Sequence, residues 1–336
     1  MLQIACGYED QNDADSLRGD PLFKLACGRL PHTGEDLASQ PTLSGLENAP
    51  DTRACYRMAE ALFELYLKQR GGGGALPPER VLLDFDSTDD PAHGEQEGVA
   101  YHGYFGQHQY HPLVVFDGET GQIVGAVLRA GNAHAGKGAL AVLKRLVSRL
   151  KKEWPTTRIE IRADAGFALP AIYEYCEAEG IRYTIGLMPN PRLEELAAPL
   201  VSVASLGPIV RLRRGEEDPK VRLLSEGSYE AGSWAKKRRV VYKAEVLKKG
   251  TNTRFVVTKR QEETPQGLYE RYVERGETEN RIKDYKNALR ADRLSRCGFL
   301  ANQFRLLLHA AAYWLLDVLR ERLGSGRVFG GCSWTL

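Results

Sequence analysis

The run Val81-Leu82-Leu83-Asp84-Phe85-Asp86 decides the fold. It follows Pro77-Pro78, is apolar for its length, and ends in carboxylates, which predicts a buried strand that stops at Asp86. Working outward, His111 to Asp117 and Gln122 to Ala130 read as two further strands. The turn Asp117-Gly118-Glu119-Thr120-Gly121 joins them. Leu140, Leu143, Leu146, Val147 and Leu150 mark one face of a helix. Arg158 to Ala163 is another strand, ending at Asp164. Leu169 to Glu179 is a helix closed by Gly180, and Ile181 to Leu187 is a fifth strand. Three strands, helix, strand, helix, strand is the order of an α/β fold: a mixed sheet with helices packed on it.

The flanking regions differ. Residues 1–70 read as helical, with Met58, Ala61, Leu62, Leu65 and Tyr66 at near-helical spacing and Pro41 in the first turn of a shorter helix. Gly71 to Gly74 followed by Pro77-Pro78 makes 71–79 a linker. Residues 80–200 form the first part of the core. Residues 201–265, with β-like runs at Arg238 to Leu247 and Thr253 to Thr258, read as a β-rich antiparallel insertion. Residues 266–323 return to helix, including a long apolar one from Phe299 to Leu323. The Gly-rich tail 324–336 reads as unstructured.

The 336 residues are 43% hydrophobic and 27% charged, which excludes a wholly disordered chain, a collagen and a coiled-coil rod. The longest apolar stretch, Gly298 to Leu319, is interrupted by Asn302, Gln303, Arg305, His309 and Asp317, so no membrane span is expected. No basic region followed by an apolar run stands at the N-terminus, so no secretory signal is expected. No two of the six cysteines lie within four residues of each other. They read as reduced thiols of a cytosolic protein, most of them buried, rather than zinc ligands.

Charge is uneven. Residues 1–100 hold 8 Lys/Arg against 18 Asp/Glu, and residues 201–265 hold 15 Lys/Arg against 8 Asp/Glu. The run Lys236-Lys237-Arg238-Arg239 and the cluster Arg211, Arg213, Arg214 lie in the basic segment. A polyanion partner explains such a concentration, because Lys and Arg release counterions condensed on phosphates. A solvated strand face explains it too.

Asp86 and Asp164 each end a predicted strand, where open α/β sheets place their sites. A strand-end Asp also caps the turn that follows it. Asp84 stands two residues before Asp86 and shares its face, so spacing alone leaves it a rival. Asp89 and Asp90 read as turn residues. Tyr272, Arg275, Glu279 and Lys286 are expected on one helix, within about 60° of arc. Three carboxylates from two strand ends and a helix suit two Mg²⁺ ions, which prefer hard oxygen ligands and share their shell with substrate phosphate. Arg275 and Lys286 beside them would grip flanking phosphates. The histidines near the first Asp (His93, His102, His108, His111) fit no ligand spacing, and Mg²⁺ disfavours imidazole.

These residues resemble the DDE transposases of bacterial insertion sequences, in the group with a Tyr-Arg-Glu-Lys signature. The signature has gaps of two, three and six residues, and Tyr272, Arg275, Glu279 and Lys286 reproduce all three. Leu83-Asp84-Phe85-Asp86-Ser87-Thr88 is similar to the family's first-Asp strand, where the Asp precedes a small hydroxyl pair; this favours Asp86 over Asp84. Ile161-Arg162-Ala163-Asp164-Ala165-Gly166-Phe167 resembles the second-Asp strand. The match covers roughly residues 80–320, and residues before Gly71 also look like part of such proteins.

The resemblance implies a ribonuclease H-like fold with a β-rich insertion between the second Asp and the Glu. It implies catalytic, metal-holding roles for Asp86, Asp164 and Glu279. The metal would be Mg²⁺, with Mn²⁺ as substitute, two ions per site. It also implies cut-and-paste transposition: water cleaves one strand at the transposon end, and the freed 3′-OH attacks another phosphodiester. Tyr272, Arg275 and Lys286, with Lys236, Lys237, Arg238 and Arg239, are the expected DNA contacts. Tyr272 and Arg275 are associated in this group with a hairpin route. The expected partners are transposon-end and target DNA and, on paired ends, a second copy of the chain; the expected location is cytoplasmic, at the nucleoid, with no membrane. The chain begins at Met1-Leu2-Gln3-Ile4 without the longer N-terminal region usual in the group, and its tail looks read from another frame. The alternative expectation is therefore a truncated remnant that binds DNA without transposing.

Overall fold

The computed structural model describes residues 1–71, 76–213, 221–247 and 250–324, without the side chains of 207–213 and 324. The centre of the glycine linker, the side chains of Arg211, Arg213 and Arg214, and the tail after residue 324 lie outside the described residues.

Along the chain the elements are α1 (Leu2–Ala5), α2 (Ala14–Leu17), α3 (Pro21–Ala26), α4 (Gln40–Asn48) and α5 (Thr52–Arg70). Next come β1 (Arg80–Ser87), β2 (Asp90–Pro91), β3 (Ala100–His102), β4 (Gln107–Tyr110), β5 (Leu113–Asp117) and β6 (Ile123–Val127). Then follow α6 (Ala139–Glu153), β7 (Arg158–Ala163), a 3₁₀ turn (Ala165–Phe167), α7 (Pro170–Ala178), β8 (Arg182–Leu187) and α8 (Pro191–Arg213). The chain ends with β9 (Val221–Tyr229), β10 (Arg238–Leu247), β11 (Gly250–Thr258), α9 (Pro265–Val273), α10 (Gly276–Leu289) and α11 (Phe299–Gly324).

Two compact units emerge. The sheet unit comprises Pro77–Asp86 and His134–Thr278. Its strands run β1-β7-β8-β11-β10-β9: β1, β7 and β8 are parallel, and β11, β10 and β9 continue antiparallel. Interior parallel strands are buried on both faces; β7 is buried from Ile159 to Ala163 although it carries Glu160 and Arg162. In α6, Ala139, Leu143, Leu146, Val147 and Leu150 are buried along one face, and Lys151 and Lys152 complement the dipole in its last turn. α7 opens with Pro170 in its first turn and stops before Gly180, whose φ of 71° only glycine adopts cheaply. The basic segment is not β-rich throughout. Helix α8 runs from Pro191 to Arg213 and so takes up the start of that segment; Glu194 to Ser205 is rich in Ala and Leu, which favours helix.

The other unit comprises Met1–Leu76, Ser87–Ala133 and Glu279–Leu336. Here α5 starts on the Asp51 cap, whose side chain accepts from Ala54 N. The β5–β6 hairpin is antiparallel, with a register shift at Val115/Phe116. Trp314 of α11 donates to the Ile123 carbonyl of β6 and meets Tyr66 of α5 edge-on, so one long apolar helix seals the unit. Arg305 on α11 pairs with Glu47 of α4, both buried. A small sheet of order β2-β4-β3, absent from the sequence reading, occupies 90–110. It makes Asp90 a buried strand residue rather than a turn residue. Its strands are two to four residues long, too short for periodicity to register.

Among the described residues no helix is long and apolar enough to cross a membrane. Of the described cysteines Cys55 and Cys176 are buried, whereas Cys6, Cys27 and Cys297 are exposed, contrary to the expectation that most are buried. The exposed three stand just outside helix ends, where packing is thin.

Candidate active site

The carboxylates sit where the strands place them. β1 and β7 pair in parallel up to Phe85↔Ala163, so the next residues, Asp86 and Asp164, emerge side by side at the C-terminal ends of adjacent strands. Asp86 is buried, and its Oδ2 accepts from Arg275 Nη1 at 2.9 Å. Asp164 is half-buried and caps the 3₁₀ turn: its Oδ1 accepts from Gly166 N at 2.9 Å.

Tyr272, Arg275, Glu279 and Lys286 do not share one helix. Tyr272 lies on α9, Arg275 in the break, and Glu279 and Lys286 on α10. Arg275 N bonds the Tyr272 carbonyl at 3.1 Å, three residues back. The Arg271 carbonyl, which a continuing helix would give to that amide, accepts instead from Arg162 Nη1 at 2.7 Å. Gly276, a poor helix former, follows at once. The break brings Arg275 to Asp86, and the last turn of α9 sets Tyr272 against Gly186. Arg275 reaches Asp86. The Tyr272 hydroxyl lies so close to Gly186 on β8 that a Cβ there would sit 2.5 Å from it and 3.0 Å from Ala165 N, beside Asp164. Burial raises the Tyr272 pKa, the Arg275 charge opposes the rise, and the Asp164 charge adds to it.

Asp84 has other work. Its Oδ1 and Oδ2 accept from Arg162 Nε and Nη2, both at 2.7 Å, a bidentate pair in which the carboxylate is 0% and the guanidinium 2% exposed. Thr278 Oγ1 adds a third bond to Asp84 Oδ2 at 2.8 Å. The rival carboxylate is thus consumed in a buried pair, leaving Asp86 as the strand-end acid.

The donor chemistry fits a hard divalent cation. Asp86 and Asp164 present oxygen, the Arg275 guanidinium is bonded to Asp86, and the Tyr272 hydroxyl lies against Gly186 near the backbone of Asp164. Among the described residues no group of three or more His, Cys, Asp or Glu side chains is placed to hold a metal ion.

Glu279 and Lys286 belong to the other unit. Lys286 Nζ donates to Asp89 Oδ1 at 2.8 Å and to the Asp89 carbonyl at 3.0 Å, with Asp292 Oδ2 3.9 Å away. Burial pushes the Asp89 carboxyl up, but the Lys286 hydrogen bond and charge hold it below its usual range. Asp90 is its opposite. Burial and then the Asp292 charge push it well above the carboxylate range, and neither oxygen has a hydrogen-bond partner among the described residues.

The sequence matches the family described as "Transposase DDE domain group 1" over residues 1–331. The chain belongs to this family of DDE transposases. Membership carries nuclease and transferase chemistry as a class and the general use of divalent metals, and the fold is mixed α/β as expected. No curated protein matches the chain. Among solved structures it is similar to a piggyBac transposase in a synaptic complex with hairpin DNA, at 10% identity and a TM-score of 0.43, over 97% of this chain and 71% of that one. It is also similar to the Mos1 transposase in a paired-end complex, at 15% identity and 0.22, over 44% and 50%. The NurA nuclease from Sulfolobus solfataricus follows at 10% identity and 0.25, over 89% and 100%. At these scores the shapes carry no argument about the site.

In this DDE transposase the basic run is not one cationic face. Arg238 is buried, forks onto Glu177 at 2.8 and 3.1 Å, and lies about 5 Å from the ring centroids of Tyr173 and Trp234. Arg239 pairs with Glu226 and donates to the Arg260 and Glu263 carbonyls. Lys236 is exposed and 3.0 Å from Glu177, and Lys237 is exposed. Its partners Glu177, Tyr173 and Trp234 hold Arg238 inside, which a count of charges does not register. Sequence reasoning also missed Arg162, Thr278 and Gly186. Two of these had a signal: Arg162 is a charge inside a buried strand, and Gly186 breaks a strand interior, which marks a close approach.

Proposed function

We propose that this chain moves a DNA segment by cut-and-paste transposition, with Asp86, Asp164 and Glu279 holding two Mg²⁺ ions, or Mn²⁺ in their place. The reading is carried by one observation within the sheet unit. Two carboxylates stand at the ends of neighbouring parallel strands, with Arg275 bonded to Asp86 and the Tyr272 hydroxyl packed on Gly186, near the backbone of Asp164 and Ala165.

Bound there, the ions would activate the attacking oxygen and stabilise the leaving one in an in-line displacement at phosphorus. The rest falls to the chain's own groups. Asp86 and Asp164, fixed by a strand and a capped turn, define where the scissile phosphate lies. Arg275 has a planar fork suited to two phosphate oxygens and is pre-oriented by Asp86. Tyr272 keeps its proton at neutral pH, since burial raises its pKa, and so acts as a hydrogen-bond donor to the DNA near the cleaved end rather than as a nucleophile. Lys286 supplies a further point charge. Lys236 and Lys237 contact the backbone farther out. Synapsis of two ends by two copies of the chain completes the reaction.

The test is a supercoiled plasmid bearing the element's own ends, incubated with purified protein and Mg²⁺. Nicks with 3′-OH termini, double-strand breaks and joined products are expected, all lost with EDTA. Binding of the ends with no product in Mg²⁺ or Mn²⁺ would instead establish a DNA-binding remnant.

A further inference from the structure

The sheet unit holds a second, fully buried charge pair behind its strand-end carboxylates. Asp84 and Arg162 face each other across β1 and β7, in register, two residues behind Asp86 and Asp164. Two residues along a strand return to the same face, about 6.6 Å away. The pair therefore lies directly beneath the two strand-end carboxylates, fully out of solvent.

Each partner has bonds left over after the other is satisfied, and each spends them on a different helix. Arg162 Nη1 takes the Arg271 carbonyl in the last turn of α9 and lies 3.3 Å from Glu274 Oε2. Asp84 Oδ2 takes the Thr278 hydroxyl in the first turn of α10, and Thr278 is itself fully buried. Between those two anchors stand Glu274 and Arg275. The Arg271 carbonyl is the acceptor that a continuous helix would give to Arg275 N, and that amide instead turns to Tyr272. A guanidinium under the helix thus replaces one helical bond, and the chain breaks at the residue that reaches Asp86.

We infer that Asp84, Arg162 and Thr278 are positioning residues, which hold the break between α9 and α10 and so set where Arg275 meets Asp86 and where Tyr272 rests on Gly186. Their catalytic consequence rests on the function proposed above; their geometric role does not. A buried pair adds little net stability over apolar residues of similar size, yet removing one partner leaves a stranded charge. Specification of one helix break gives a reason to keep both.

Two variants test this. Arg162→Lys keeps a cation for Asp84 but loses the planar fork that serves Asp84 and the Arg271 carbonyl together. Asp84→Leu/Arg162→Met removes both charges and keeps the volume, so that it folds. Amide hydrogen exchange is read at 272–278 against 80–86 and 158–163. In both variants exchange at 272–278 should rise about tenfold or more while the two strands stay within about threefold of wild type. Turnover of DNA cleavage should fall about a hundredfold, with the half-saturating DNA concentration changed less than about threefold. Unchanged exchange at 272–278, or a rise shared equally by both strands, overturns the inference. A wild-type chain that cleaves nothing overturns the proposed function instead, and the exchange result still decides the positioning role.

Discussion

Arg275 Nη1 donates to Asp86 Oδ2 across 2.9 Å, joining the residue in a helix break to the acid at the end of β1. The two are 189 positions apart in the chain, and no pairing of neighbouring residues would suggest the contact. Arg275→Lys keeps the charge but not the fork, and should lower strand cleavage about tenfold. Arg275→Ala should lower it about a hundredfold or more, with end binding largely kept. Equal cleavage by Arg275→Ala and wild type in a single-turnover assay would remove Arg275 from the site.

Gly186 is where Tyr272 makes its closest approach to the sheet. Because a Cβ would sit 2.5 Å from the Tyr272 oxygen, Gly186→Ala should cost about 1–3 kcal/mol by crowding. Tyr272→Phe removes the closest clashing atom, so the double variant should regain part of that loss in thermal melting, the rest being the 3.0 Å approach to Ala165 N. Simple additivity of the two single changes would show that the hydroxyl does not rest there.

The Lys236–Arg239 run should split by position. Neutralising Lys236 and Lys237 should reduce the salt dependence of DNA binding by about one unit of log–log slope per lost phosphate contact. Arg238→Gln should leave that slope alone and lower the melting temperature, because Arg238 is buried against Glu177, Tyr173 and Trp234. A flattened slope in Arg238→Gln would return the residue to the DNA-contact group.

Glu177 gives a pH signature. Burial alone would raise its carboxyl, but hydrogen bonds from Arg238, Lys236 and Tyr183 outweigh it and bring the pKa from 4.5 down to about 2. A group whose folded pKa is depressed contributes stability above its unfolded pKa and loses it as pH falls through the folded one. Glu177→Gln should therefore cost roughly 3 kcal/mol at pH 7 and much less as pH drops from about 4.5 toward 2. A cost independent of pH across that window would show that the Glu177 charge is not what holds Arg238.

Part of the fold is legible in short β-prone runs bounded by turn residues. β1 carries an apolar run from Val81 to Leu83, β7 and β8 are short runs between turns despite Glu160 and Arg162, and β10 runs from Arg238 to Leu247 as expected. The short strands at 90–110 were not, since two to four residues carry no period. At the candidate site, spacing identified Asp86, Asp164, Tyr272 and Arg275 as worth attention, and a resemblance rather than geometry ranked Asp86 over Asp84. The break between α9 and α10 was invisible to a helical wheel. It depends on a side chain from β7 taking the Arg271 carbonyl, a bond made 109 residues away in sequence. For the same reason, a count of charges suggests a surface position for Arg238, whereas Glu177 and the rings of Tyr173 and Trp234, distant in sequence, bury it.

The central claim is that Glu279 joins Asp86 and Asp164 in holding the metal. The direct measurement is Mn²⁺ binding by electron paramagnetic resonance, with the transposon-end duplex present, on wild type and on Asp86→Asn, Asp164→Asn and Glu279→Gln. Wild type should bind two Mn²⁺ per chain, and each variant should lose at least one, with Mg²⁺-dependent cleavage falling roughly a thousandfold or more. Two tightly bound Mn²⁺ in Glu279→Gln, with cleavage at the wild-type rate, would contradict the account.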